Sequence, residues 1–387
     1  MKKIITATAV TATFACAAHA QSSVTLYGIV DAGLTYVSNE VGQDSTVTPG
    51  GRVTGGKAVF GMTSGNVQAS RWGLRGAEDL GGGLKAVFNL ESGFNIANGN
   101  QTVSNKLFNR QAYVGLSNEY GTVTLGRQYD SVVDYLAPLT ATGSWGGTYF
   151  AHPGDNDNAN ASISVNNSVK FRSANYSGFS LSGMYGFSNQ AGFANNRAYS
   201  VGAGYQIGGF TLGAAYLQFQ GMNTNQSAGA IDGGTLAASP FSGIQNQRTW
   251  GLGGNYAFGP FVVGAVFTQS RFQDKLADIS FRYNNYEVNA HYNLTPALAL
   301  GAAYTYSQSL RATPGTTDSN TGAAHWNQFG LQADYSVSKR TDLYAEAVAQ
   351  VGPNNSRGTN IIQINGTSAP STATNQVVLT TGIRHRF

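Results

Sequence analysis

After residue 20 the chain carries four histidines, His152, His291, His325 and His385, the side chains best suited to proton transfer near neutrality. A hydrolytic centre would need one of them within ~2.6–3.2 Å of a serine. His291 falls on the polar side of an alternating run, but nothing in the spacing supplies it with a nucleophile, so a lining role is expected. The single cysteine, Cys16, lies in the leader-like first segment, which leaves the rest without a thiolate, a disulfide or a cysteine metal site. Gly51-Arg52-Val53-Thr54-Gly55-Gly56-Lys57-Ala58 approaches a phosphate-binding loop. It lacks the closing Ser or Thr that would hold magnesium and has no strand-to-helix setting, so it reads as an exterior loop. Asp155-Asn156-Asp157-Asn158 opens like a calcium loop, yet Asn160 stands where the turn needs Gly and Asn166 where a bidentate Glu would close the shell. Weak cation binding is the most that such a segment would offer. No enzyme chemistry, cofactor or metal centre is expected. What remains is charge in alternation: Ser168-Val169-Lys170-Phe171-Arg172 puts two cations on one face of a strand, directly after the long segment Gln128–Asn167.

These residues need a setting. Residues 1–20 have the form of a secretory signal, with Lys2-Lys3, an uncharged stretch from Ile4 to Ala17 and the A-x-A site Ala18-His19-Ala20. Thr13 and bulky Phe14 ahead of Cys16 do not suit lipidation. A mature chain starting at Gln21 would keep 367 of 387 residues, and losing Lys2 and Lys3 would reduce the formal charge from +4 to +2. So weak a charge gives no basic patch for nucleic acid. Charged residues make up 11% of the chain, less than half of the ~25% usual in soluble domains. Yet no run after residue 20 approaches the ~18 apolar residues of a membrane helix. An all-β fold, a closed transmembrane barrel, meets both conditions, since it pairs every backbone group and leaves no edge facing lipid.

Alternation supports that fold. Val24, Leu26, Val30, Ala32 and Leu34 share one face, with Thr25, Tyr27, Asp31 and Thr35 on the other; Tyr286, Val288, Ala290 and Tyr292 oppose Asn285, Glu287, Asn289 and His291. Aromatic residues bracket the tight turns and recur toward the far strand ends, as two interfacial girdles would. Seven short turns, from Glu78–Gly83 to Ser338–Arg340, alternate with eight longer segments, from Ser38–Asn66 to Gly352–Thr374. Fifteen connections join sixteen antiparallel strands, with the turns on the periplasmic side. The third long segment, Gln128–Asn167, is far longer than ordinary connections. It is expected to fold into the barrel and narrow it.

Ser23-Val24-Thr25-Leu26-Tyr27-Gly28, Arg71-Trp72-Gly73-Leu74-Arg75-Gly76, Arg110-Gln111-Ala112-Tyr113-Val114-Gly115-Leu116, Gly121-Thr122-Val123-Thr124-Leu125-Gly126-Arg127, Asn167-Ser168-Val169-Lys170-Phe171 and the terminal Gly382-Ile383-Arg384-His385-Arg386-Phe387 resemble the Gram-negative trimeric general porins, most closely their beta-proteobacterial branch. The resemblance implies a homotrimer in the outer membrane, among its lipids and lipopolysaccharide, passing ions and small hydrophilic solutes. It implies that Phe387 signals to the barrel-assembly machinery. It also implies that loop acids, here Asp130, Asp134, Asp155 and Asp157, face a wall of Arg71, Arg110 and Arg172, with Lys170 beside the last. Parity supports Arg71 and Arg172. Arg110 shares parity with Ala112, Val114 and Leu116, so it needs a bulge, or else Tyr113 turned to lipid. Alternatives are a substrate-selective porin of the same fold, or a barrel serving mainly as adhesin or anchor.

Overall fold

The computed structural model describes residues 23–47, 53–193, 195–221, 229–231, 244–274, 279–312, 324–353 and 362–387. The expected signal segment 1–20, residues 51 and 52 of the phosphate-loop-like stretch, and parts of the loops expected near Gly221–Asn246, Gln273–Ser280, Ala312–Ala324 and Gly352–Thr374 lie outside them. Seventeen strand segments form one antiparallel sheet that closes where the first strand, Ser23–Glu40, pairs with the last, Asn375–Arg386. Two segments, Lys57–Ser64 and Arg71–Gly81, pair end to end with that same first strand and are halves of one second strand. The barrel therefore has sixteen strands. Closure extends to the terminus, where Phe387 and Gly28 exchange two backbone hydrogen bonds of 3.1 Å.

The alternation expected from the sequence sets the two surfaces. Leu26, Leu34, Val114, Leu125, Leu252 and Leu331 stand outward and exposed, as lipid-facing residues must. Phe210, Tyr256, Phe258, Phe261 and Tyr292 form a continuous run of ring contacts beside the short turns, with centroids 4.1–5.7 Å apart. Trp250, Phe267, Tyr286 and Tyr306 form another near the loop ends, at 5.0–6.3 Å.

The interruption in the second strand, residues 65–70, is built around Asp31. Its carboxylate accepts from the Val67 and Gln68 amides at 3.0 and 2.8 Å, and its amide donates to Ser70 Oγ at 3.0 Å. Tyr344 Oη, from the fifteenth strand (Thr341–Val351), donates to the other carboxylate oxygen at 2.6 Å. One acidic side chain thus satisfies backbone groups that the ladder leaves unpaired. Pairing also extends further than the sequence suggests: the first loop, expected over Ser38–Asn66, ends at Lys57 and contains its own two-rung hairpin, Thr46–Val47 with Val53–Thr54.

Candidate functional site

Strands five (Gly121–Gln128) and six (Val165–Ser173) are joined by the long segment, which enters the barrel and crosses its inner wall. Short helical turns at Ser131–Tyr135 and Ala141–Ser144 give it form. At its root Ser131 Oγ bonds Ser182 and Ser200 on strands seven (Phe179–Gly186) and eight (Arg197–Ile207), at 2.9 and 3.1 Å. Midway, fully buried His152 donates from Nδ1 to Asp157 at 2.6 Å and from Nε2 to Glu287 of strand twelve (Ile279–Asn293) at 3.1 Å. Thr268 donates to Asp157 at 2.6 Å, and Glu287 also accepts from the Ala141 amide at 2.7 Å. At its tip the Thr148 amide donates to Asn66 O at 2.8 Å and Tyr149 Oη to Asn66 Oδ1 at 3.1 Å, so the interrupted second strand receives the loop.

The wall accepts this layer because it lacks side chains where the loop is bulkiest. A Cβ on Gly301 would lie 2.3 Å from the Trp145 ring, and one on Gly330 would lie 2.2 Å from that of Phe150. These inward glycines of strands thirteen (Leu298–Ala312) and fourteen (Ala324–Ser336) are sockets for the loop's aromatic rings.

The acids expected to face the lumen divide. Asp130 is the cap of the first helical turn, bonded to the Val132 amide at 2.7 Å and to Asn158 at 2.6 Å. Asp155 accepts from the Asn160 and Ser162 amides at 2.9 and 3.3 Å. Both are buried inside the loop's packing, as is Asp157. Burial pushes the Asp130 carboxyl up to about 6. Burial, with Asp157 adjacent, does the same to Asp155. Burial also opposes charge on Asp157, but His152 outweighs it and holds that carboxyl below the ordinary range. Burial alone would lower His152 in turn, while Asp157 and Glu287 together raise it to about 10. Only Asp134 keeps some access to water, and it pairs with Lys170 at 2.6 Å.

Opposite stands the wall of strands one to six, of which the third, Leu84–Gly93, carries Glu91. Arg110 Nε donates to Glu91 at 2.8 Å and lies over the Tyr129 ring at 5.6 Å; Arg71 approaches the same carboxylate at 3.7 Å, and Tyr27 Oη donates to it at 2.9 Å. Arg110 gets there by preceding its strand, Gln111–Asn118, rather than by turning Tyr113 to lipid. Asn109 substitutes for the ladder, bonding Gly93 N and O through its side-chain amide at 2.8 and 2.9 Å, while Arg127 holds Asn109 O at 2.7 Å. Tyr113 instead lines a recess with Tyr27, Arg75, Asn89 and Glu91. Arg172 is exposed on the same face as Lys170, nearer the short-turn end of its strand. Two residues escaped sequence reasoning. Glu91 was legible only as one polar position among several, and Arg75, four residues after Arg71 and so on its face, reaches over Tyr27 at 5.1 Å. For Arg75 the signal was present in simple parity.

A closed sixteen-stranded barrel with a long connection folded inside is the architecture of an outer-membrane channel. The chain belongs to the Gram-negative porin family, whose model matches residues 6–358. It is 32% identical over 375 residues to an outer membrane porin protein of Bordetella pertussis, covering 89% of this chain and 93% of that one. Among solved structures, the anion-selective porin from Comamonas acidovorans superimposes with a TM-score of 0.73 at 24% identity, covering 95% of this chain and 100% of that one. The trimer form of in-vitro folded OmpT of Vibrio cholerae gives 0.65 at 16% identity, over 95% and 99%. The protein is thus a non-enzymatic porin channel of the Gram-negative outer membrane.

Proposed function

We propose that this channel is a general diffusion porin, passing ions and small hydrophilic solutes passively, narrowed where residues 128–167 face the wall of strands one to six. The supporting observation is the division of charge across the gap. Arg71, Arg75, Arg110 and Arg172 keep access to the gap, with Glu91 buried against Arg71 and Arg110 and the Asp134–Lys170 pair beside them, while Asp130, Asp155 and Asp157 are engaged inside the loop. A fixed surplus of guanidinium lowers the barrier for anions, orients polar solutes across the gap and replaces their lost hydration. The Comamonas porin is described as anion-selective, and we assign this chain the same preference. Residues 1–20 act as a cleaved export signal, Phe387 as a signal to the assembly machinery, and three copies associate among outer-membrane lipids and lipopolysaccharide.

Planar-bilayer recording under a salt gradient tests the reading. Stepwise conductance with a reversal potential on the anion side is expected, moving toward cations in Arg71→Ala and Arg75→Ala. A barrel without conductance steps would overturn the diffusion role, and saturable block by a single solute would replace it with a substrate-selective porin.

A further inference from the structure

Strands ten (Asn246–Phe258), eleven (Phe261–Asp274) and twelve (Ile279–Asn293) carry an outward row of three arginines in direct register, Arg248 opposite Arg271 and Arg271 opposite Arg282. All three are exposed. With neighbouring strands ~4.8 Å apart, the outer two backbones lie within about 10 Å of each other. Like charges directly opposite on one sheet face repel and cost stability. Among the described residues no carboxylate pairs with any of the three, and none of the ion pairs involves them. Such a row calls for an external anion.

Its depth says which kind. One rung toward the membrane lies an amide row, where Trp250 Nε1 donates to Gln269 at 3.2 Å and Gln269 to Asn284 at 2.9 Å. The next rung is Leu252, Phe267 and Tyr286, the aromatic girdle and the edge of the lipid-facing surface. Within two rungs the outer wall passes from apolar through uncharged polar to cationic. A free anion would use only the last of these; an amphiphile with a phosphate above and hydrocarbon below would use all three. Guanidinium forks bind phosphate oxygens bidentately and suit this place better than ammonium would. We propose that Arg248, Arg271 and Arg282 bind the phosphate-bearing headgroup of an outer-leaflet lipid. The proposal rests on the orientation of the channel, with loop ends outward, and gives the lipid partner a defined site.

The mature full-length chain, refolded in zwitterionic detergent, is titrated with diphosphoryl lipid A, with its dephosphorylated form, and separately with inorganic phosphate. The native protein should retain diphosphoryl lipid A at least tenfold more tightly than the variant R248Q/R271Q/R282Q, and dephosphorylated lipid should bind both alike. Equal affinity of the two proteins for diphosphoryl lipid A would overturn the proposal. So would competition by inorganic phosphate at equal concentration, which marks a free-anion site, or a changed oligomeric state of the variant in lipid-free detergent, which marks a protein contact. Unchanged single-channel conductance certifies the variant's fold; if the triple variant does not refold, R271Q, the central position, should still weaken lipid binding at least threefold. Absence of conductance in the native protein would count against the diffusion role while leaving the lipid comparison intact.

Discussion

On its wall side the inward segment buries Asp130, Asp155, Asp157 and His152, each bonded within the loop or to strands eleven and twelve. On its open side Asp134 faces Lys170, and across the gap Arg71 and Arg110 share Glu91 with partial access to water. The same residue types serve two ends. Where water is excluded, an unpaired charge is costly, so each acid is matched by a cation or by several donors. Where water remains, a surplus is affordable and becomes the field a solute meets. Charge therefore holds the loop on one side and, in the function proposed above, biases solutes on the other.

The comparison breaks most severely at His152. Replacing it with Ala leaves Asp157 and Glu287 buried without their shared cation, a change that typically costs about 3–5 kcal/mol. Single-channel records of His152→Ala should show a larger, fluctuating conductance, and protease should cut within residues 141–158. Next comes Gly330→Ala, which drives a methyl into the Phe150 ring and should destabilise the packed loop by ~1–3 kcal/mol in urea denaturation. Alanine at Gly61, where a Cβ meets nothing within 4 Å, is the control and should leave the midpoint in place.

Alkali offers a gentler test of the same anchor. A histidine raised to about 10 contributes stability that is fully present below its ordinary value near 6.5 and is lost as pH rises through about 10. Conductance should be steady from pH 7 to 9 and grow noisy above 10, and in His152→Ala this transition should vanish. The smallest effects belong to the open side. Removing one wall charge changes the energy of an ion ~4 Å away by about 1 kcal/mol in water, a several-fold change in permeability ratio. Arg110→Ala should shift the reversal potential toward cations and Glu91→Gln toward anions, the second also lowering stability because Arg71 and Arg110 lose their shared, buried carboxylate. Asp130→Asn should leave selectivity untouched, because that carboxyl does not face the gap.

Strand number, closure and the inward side of Arg71, Lys170 and Arg172 were legible because alternation is a local property with period two. The division among the aspartates was not. Which of Asp130, Asp134, Asp155 and Asp157 meets water depends on partners such as Asn158, Lys170 and Thr268, brought together by the fold rather than by spacing. Arg110 was ambiguous for a related reason: Asn109 takes over a rung of the ladder with its side chain, and parity ceases to count there. The interruption at residues 65–70 was hidden likewise, since Asp31, its organiser, reads as one more polar position.

That interruption also bears on the order of assembly. Asn66, which receives the loop tip, is itself held by Thr380 at 2.9 Å and Tyr344 at 3.2 Å, and Thr35 beside it by Thr380 at 2.8 Å, contacts between residues about 280 to 345 positions apart. Contacts so distant in sequence form late, because the chain must first be gathered. The landing site for Thr148 and Tyr149 is complete only once the first and last strands have met, so a barrel still open at its seam is also still wide, and narrowing of the passage becomes the closing event of folding.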